Sequence, residues 1–298
     1  MKEFKFKKID AFATERSGGN PAGYIWLNSQ SDISEKEMLQ IAKELKGFVN
    51  EVGYVFRTSE DRFDLKYFSS EREVDFCGHA TIAIMYDLIK NDTTLLQLDL
   101  LQIHTNRGEL SVENRIEKED AVFIMSPEPV EKERVPDVQN LADKLKIKTD
   151  EIENGYPISV INAGLSTLLV PIKSLQSILN ISPDLEELKH FCFNSGIDII
   201  EVFTDDVANE SNNFRTRVFA PTFGYIEDPA TGSGNSALGY YMIKHGLWKD
   251  DTITIEQNGF KDRYNIVKLQ RQSDINGNDR VWFGGGAMTR IEGKYIIY

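Results

Sequence analysis

Two short segments concentrate residues able to bind an anion or move a proton: Phe76-Cys-Gly-His-Ala-Thr81 and Glu227-Asp-Pro-Ala-Thr-Gly-Ser-Gly234. Each leads into a helical pattern. The first turn of a helix leaves backbone N–H groups unpaired and carries partial positive charge. Gly78 and Gly232 let a ligand approach that backbone with no Cβ in the way. Two such helix starts can cradle a carboxylate or another anion; the competing reading is that both glycines serve tight turns only. His79 lies at the start of its helix, where the helix dipole is expected to disfavour the imidazolium and lower its pKa. Asp228 precedes Pro229, so it reads either as a turn aspartate or as a functional carboxylate. Glu51 enters the apolar run that follows Asn50. Partial burial there would raise its pKa toward neutrality, as general acid/base work requires, whereas a solvated loop carboxylate is the alternative.

The elements that must position these groups alternate between strand and helix patterns. Residues 5–12, 22–27, 52–57, 63–68, 98–104 and 109–113 read as strands in the first half. Residues 34–45 read as a helix with Ser34 as N-cap and Glu37 as its capping-box partner, and 80–90 as an amphipathic helix. A charged stretch, 114–120, marks a candidate crossing, after which 121–126 opens the second half. There, 159–161, 167–170, 199–203 and 214–220 read as strands, and 185–194 and 236–245 as helices. Residues 252–257, 280–283 and 290–298 are again strand-like, and the Gly284–Gly286 run is expected to turn the chain sharply.

A shift of 154 residues lays Gly78-His-Ala-Thr-Ile-Ala-Ile-Met-Tyr-Asp-Leu-Ile-Lys90 over Gly232-Ser-Gly-Asn-Ser-Ala-Leu-Gly-Tyr-Tyr-Met-Ile-Lys244. Gly, Ala, Tyr, Ile and Lys coincide. Both copies follow the order strand, loop, glycine, helix, which indicates a duplicated architecture. At 298 residues the chain has room for two domains. With 41% hydrophobic residues it can bury a large core. The net charge of −13, unbroken by any basic cluster, argues against nucleic acid as a partner. No run approaches the roughly 20 apolar residues of a membrane helix. Cys77 and Cys192 fit no metal or redox spacing. No dinucleotide fingerprint, P-loop, nucleophile elbow or zinc-spaced His/Cys cluster occurs. The chain is expected to be cytoplasmic, without a signal peptide.

Several of these pieces together resemble the PhzF-like family of phenazine-biosynthesis-type isomerases, with the diaminopimelate-epimerase fold. They are Asp10-Ala-Phe-Ala-Thr14, Gly19-Asn-Pro21, Asn50-Glu-Val-Gly-Tyr54, Asp75-Phe-Cys-Gly-His-Ala-Thr81, Asn162-Ala-Gly164, Glu227–Gly234 and Gly284-Gly-Gly286. They occur in family order over nearly the whole chain. The resemblance implies an α+β fold of two pseudo-symmetric domains, each a barrel-like, mostly antiparallel sheet around a central helix, with the active site in the cleft between them. The domains are expected at residues 1–117, completed by 286–298, and at 118–285.

The resemblance also implies a cofactor-free isomerase acting on a small carboxylated substrate, without a metal, and assembling as a homodimer. By motif match, Glu51 is the proton shuttle, assisted by His79 and Asp228. Asn20, Gly78, Gly232 and Ser233 bind the substrate. Related epimerases use two opposed cysteines, and this chain keeps only Cys77, with no cysteine in the 227–234 loop; two-thiol racemisation is therefore not expected. The family's late Arg-Pro-Ser stands here as Arg263-Tyr-Asn265, so substrate identity does not carry over. An epimerase or racemase, or a non-catalytic metabolite-binding protein, are the alternatives.

Overall fold

The computed structural model describes residues 1–274 and 276–298. The chain forms two compact units, Met1–Met125 with Gly284–Tyr298, and Ser126–Phe283. In chain order, the first unit runs β1 (Lys2–Ala11), β2 (Asn20–Leu27), α1 (Glu35–Glu44), β3 (Glu51–Arg57), β4 (Arg62–Ser69), β5 (Glu73–Val74) and α2 (Gly78–Lys90). It continues with α3 (Thr93–Leu96), β6 (Leu100–Thr105), β7 (Gly108–Arg115), α4 (Ile116–Glu119) and β8 (Ala121–Met125). The second runs β9 (Val130–Lys132), α5 (Val138–Leu145), β10 (Ser159–Asn162), β11 (Ser166–Pro171), α6 (Leu175–Asn180), α7 (Leu185–Ser195), β12 (Ile199–Thr204) and β13 (Phe214–Phe219). It ends with β14 (Glu227–Asp228), α8 (Gly232–Lys244), β15 (Thr252–Gln257) and β16 (Asn265–Ser273). Then β17 (Asp279–Gly285) leads into β18 (Ala287–Ile297), which pairs with β1 in the first unit.

Strand pairing repeats between the units. In the first, β1–β2 is antiparallel, β2–β3 parallel, β3–β4 and β4–β5 antiparallel, β4–β6 parallel and β6–β7 antiparallel. In the second, β10–β11 is antiparallel, β11–β12 parallel, β12–β13 and β13–β14 antiparallel, β13–β15 parallel and β15–β16 antiparallel. A helical connection lies inside each parallel pairing, as a parallel crossover requires. The duplication inferred from one helix thus extends to the whole order of strands, an α+β architecture that agrees with the expected fold class.

The helices α2 and α8 are the central ones. From Ala80 to Asp87 every residue of α2 is buried, as is Ile89; in α8 the burial runs unbroken from Gly234 to Met242. A helix buried on every side must be enclosed rather than laid on a surface. In the first unit α2 packs on β18, β1, β2, β3 and β8, strands from both ends of the row, so that sheet curls around it. The amphipathic reading of 80–90 is corrected accordingly, because the sheet covers the face expected to meet water. Asp87, buried on α2, is held by Lys7 Nζ at 2.8 Å and by the Tyr24 hydroxyl at 2.8 Å. This satisfies a charge that burial would otherwise make costly. α1 forms with the expected capping box, Ser34 accepting from the Glu37 N–H and Glu37 reaching back to Ser34.

Three expectations shift. The chain leaves the first unit after Met125, not at 117, because residues 121–125 form β8 and pair back onto β7. The charged stretch 114–120 lies inside the first unit and contains α4. Gly284 makes no sharp turn: it is in β17, where an added Cβ would lie 2.2 Å from the Val122 carbonyl oxygen. Its small size serves close backbone approach. Among the described residues, no helix is long and apolar enough to cross a membrane.

Candidate active site

In the first unit three chemically capable side chains meet at the start of α2. Cys77 is the N-cap residue and its side chain makes no capping bond; its carbonyl accepts from the Thr81 N–H at 3.0 Å and the Thr81 hydroxyl at 2.7 Å. Thr81 is itself tied to the Tyr67 hydroxyl at 2.6 Å. These contacts anchor the turn from inside. His79, the second residue of the helix, has Nδ1 3.5 Å from Cys77 Sγ and Nε2 3.3 Å from Glu51 Oε2. Glu51 opens β3 and reaches the helix start from the neighbouring strand. Register places Glu51 beside Ala22, two residues along β2 from Asn20, so Asn20 and Glu51 belong to the same end and face of this sheet. Asn20 is buried.

The sign of the His79 pKa shift is opposite to that expected from the helix dipole. Burial works against the imidazolium, but the Cys77 sulfur and the Glu51 carboxylate outweigh it and hold His79 well above the ordinary histidine range. Burial pushes the Cys77 thiol up, His79 partly opposing it. A proton is therefore favoured on the imidazole, between a carboxylate and a thiol. The His79 and Glu51 side chains remain 14% and 21% exposed, while Glu51 Oε2 itself is buried. A pocket of about 370 Å³ elsewhere on this unit, bordered by Leu27, Met38, Tyr54 and Asn106, contains none of the three.

In the second unit the corresponding helix start is pinned by amides. Asp228 is buried and accepts from the Thr231 hydroxyl. Gln257 Nε2 donates to the Asp228 carbonyl at 3.0 Å and to Thr231 Oγ1 at 3.1 Å. Its Oε1 accepts from the Thr231 N–H at 3.0 Å and from Asn235 Nδ2 at 2.7 Å. Asn265 Nδ2 donates to the Pro229 carbonyl at 2.6 Å. Glu227 takes a bidentate bond from Arg217 at 3.0 and 2.8 Å. Gly232 is small for a packing reason, since a Cβ would sit 2.4 Å from the Phe283 ring. Gly232 and Ser233 are the first two residues of α8, where N–H groups lack intrahelical partners. The structure thus brings Glu51, His79 and Gly78 together, with Asn20 on the same sheet, and brings Asp228, Gly232 and Ser233 together in the other unit.

Two groups at these sites were not singled out as site residues. Cys77, an acid/base group only in the epimerase alternative, is in contact with His79. Glu201 on β12 is fully buried, and among the described residues neither carboxylate oxygen has a hydrogen-bond partner. Burial holds its pKa well above the usual carboxylate range. Register sets Glu201 opposite Val218, which is opposite Asp228, so both carboxyls face the same side of the sheet. The signal was available: one acid inside the apolar run Ile199-Ile-Glu-Val-Phe203.

Comparison with known proteins shows the family and the fold. A family model described as phenazine biosynthesis-like protein matches residues 9–293. An uncharacterized isomerase of Clostridium acetobutylicum is 30% identical, covering 100% of this chain and 99% of its own. One from Bacillus subtilis is 29% identical over 98% and 99%. Among solved structures, a PhzF-family phenazine biosynthesis protein of Bacillus anthracis superposes with a TM-score of 0.85 at 24% identity, over 100% of both chains. A hydroxyproline epimerase of Agrobacterium vitis gives a TM-score of 0.60 at 12% identity, over 99% of this chain and 91% of its own. At these identities the two solved structures speak for the fold.

Proposed function

The chain belongs to the phenazine biosynthesis-like family, and from that premise we propose that it is a cofactor-independent isomerase that relocates a proton on a small carboxylated substrate. The observation that carries this reading is the contact of His79 Nε2 with Glu51 at 3.3 Å at the open start of a buried helix. Glu51 removes a proton from an acidified carbon and returns it elsewhere. His79, carrying a proton, donates a hydrogen bond to the oxygen on which negative charge develops, and the free N–H groups of Gly78 and His79 add to that stabilisation. In the second unit, Gly232 and Ser233 offer a second anion-binding backbone, and Asp228, held by Thr231, orients a polar substituent of the substrate. Asn20 contributes to substrate binding beside Glu51. The protein acts as a homodimer, as the family resemblance implies, and in the cytoplasm, as its sequence suggests.

The experiment is a screen of small carboxylic acids with an activated C–H bond, incubated in D₂O and read by NMR. Isomerisation gives a product with its double bond or proton relocated, and Glu51→Gln stops it. A second reading, epimerisation with Cys77 as the other acid/base group, is favoured by the Sγ–Nδ1 distance of 3.5 Å. It is distinguished by an inverted stereocentre carrying one solvent deuterium. Ligands that bind but never turn over would instead favour a binding protein.

A further inference from the structure

Glu51 and His79, the groups assigned to proton transfer, form with Cys77 a cluster of metal-ligating side chains. Cys77 Sγ, an imidazole nitrogen of His79 and a Glu51 carboxylate oxygen all lie within 4.8 Å of one another. For the Nε2 atom of His79, the separations are 3.9 Å to Sγ and 3.3 Å to Oε2. A tetrahedral zinc with bonds of about 2.3 Å to sulfur and about 2.0–2.2 Å to nitrogen and oxygen needs S···N and N···O edges of roughly 3.6 and 3.4 Å. The two edges from Nε2 meet those values within a few tenths of an ångström, and the third, from Cys77 Sγ to the Glu51 carboxylate, lies within 4.8 Å. The three ligands come from one strand start and one helix start.

We propose that Glu51, Cys77 and His79 bind one zinc ion per chain, in a site with three protein ligands and a fourth position open to water or a substrate carboxylate. Thiolate and carboxylate together bring two negative charges, which neutralise Zn²⁺ in a chain whose net charge is −13. The sulfur and imidazole donors select a borderline-soft cation over Mg²⁺ or Ca²⁺, which prefer oxygen cages. On binding, the Cys77 S–H bond is exchanged for an S–Zn bond; that proton, and the one His79 carries on Nε2, go to solvent. Cys192 does not compete: it is fully buried and its thiol is pushed up to about 12. Zinc in this position occupies the proton-transfer groups and so inhibits the enzyme. The inhibition rests on the isomerase reading, whereas the binding does not.

Metal-free, reduced full-length protein is titrated with Zn²⁺ against a chromophoric chelator, without substrate. One zinc per chain is expected to bind, with Mg²⁺ unable to displace it. Cys77→Ala, checked for folding by circular dichroism, is expected to weaken binding by more than the roughly 10–100-fold that loss of an outer-sphere partner costs. Should that variant not fold, Co²⁺ decides the matter. A thiolate-to-cobalt charge-transfer band, kept in Cys192→Ala, supports the site, and its absence overturns it. No zinc binding, or binding equally tight in folded Cys77→Ala, also overturns it. If zinc binds as stated but an activity later found is insensitive to it, the metal site stands and the assignment of these groups to catalysis falls.

Discussion

The starts of α2 and α8 occupy equivalent places in two units with the same strand order, yet they are built for different tasks. At α2, Cys77, His79 and Glu51 touch through titratable atoms and remain partly open. At α8, the amides and hydroxyl of Thr231, Asn235 and Gln257 close a hydrogen-bond network around Asp228. Duplication supplied the helix start twice, while the groups able to exchange protons in contact with one another are concentrated in the first unit. The difference teaches that a buried amide network confers rigidity, whereas a carboxylate, an imidazole and a thiol in contact confer a movable proton.

That contrast can be broken most forcefully in the second unit. Gln257→Leu strands the buried Thr231 N–H, while Asn235 Nδ2 keeps its bond to the Thr231 carbonyl at 2.8 Å. A buried unsatisfied group costs about 1–3 kcal/mol, so a loss of that size is expected in denaturant unfolding. Gly232→Ala drives a methyl into the Phe283 ring and is expected to cost about 1–3 kcal/mol by the same measurement. A change smaller than about 1 kcal/mol for Gln257→Leu would mean the network is ornamental.

Glu201 makes the comparison sensitive to pH. Its folded-state pKa lies above that of the unfolded chain, so the folded protein retains a proton the unfolded one has lost. Stability from this group is full below the ordinary glutamate pKa and falls as pH rises toward the folded-state pKa. The slope is about 1.4 kcal/mol per pH unit in that window. Glu201→Gln removes the titration, and melting curves between pH 5 and 8 are expected to flatten. In the first unit, His79 has the same sign: its raised pKa contributes stability that is lost as pH climbs above the ordinary histidine value. His79→Gln is expected to have a smaller effect on that pH profile than Glu201→Gln, because His79 is partly exposed to solvent screening.

Much of the frame was legible because it is local. Ser34 and Glu37 lie three residues apart, so one pattern encodes their capping box. Helices α2 and α8 declared their kinship through a constant offset. The sign of the His79 shift was not legible, because it depends on Cys77 and Glu51 together, and Glu51 is brought from another strand by the β2–β3–β4 pairing rather than by sequence proximity. The unit boundary was misplaced since β8 is an ordinary apolar strand, and only its partner, β7, shows to which unit it belongs. The short α6 offers too little periodicity to stand out. By contrast, α5 carries Leu141, Ala142 and Leu145 on one buried face behind an Asp137 cap, a pattern present in the chain and passed over. The pairing of Glu51 with His79 rested on family resemblance, because no spacing rule joins a strand residue to a helix start.

The most direct test of proton transfer by the first unit is substrate C–H exchange with D₂O, followed by NMR in wild type, Glu51→Gln and Asp228→Asn. Glu51→Gln is expected to slow exchange by about 10²–10⁴-fold, while Asp228→Asn still exchanges at a measurable rate. Exchange at the wild-type rate in folded Glu51→Gln, with loss in Asp228→Asn, would contradict it.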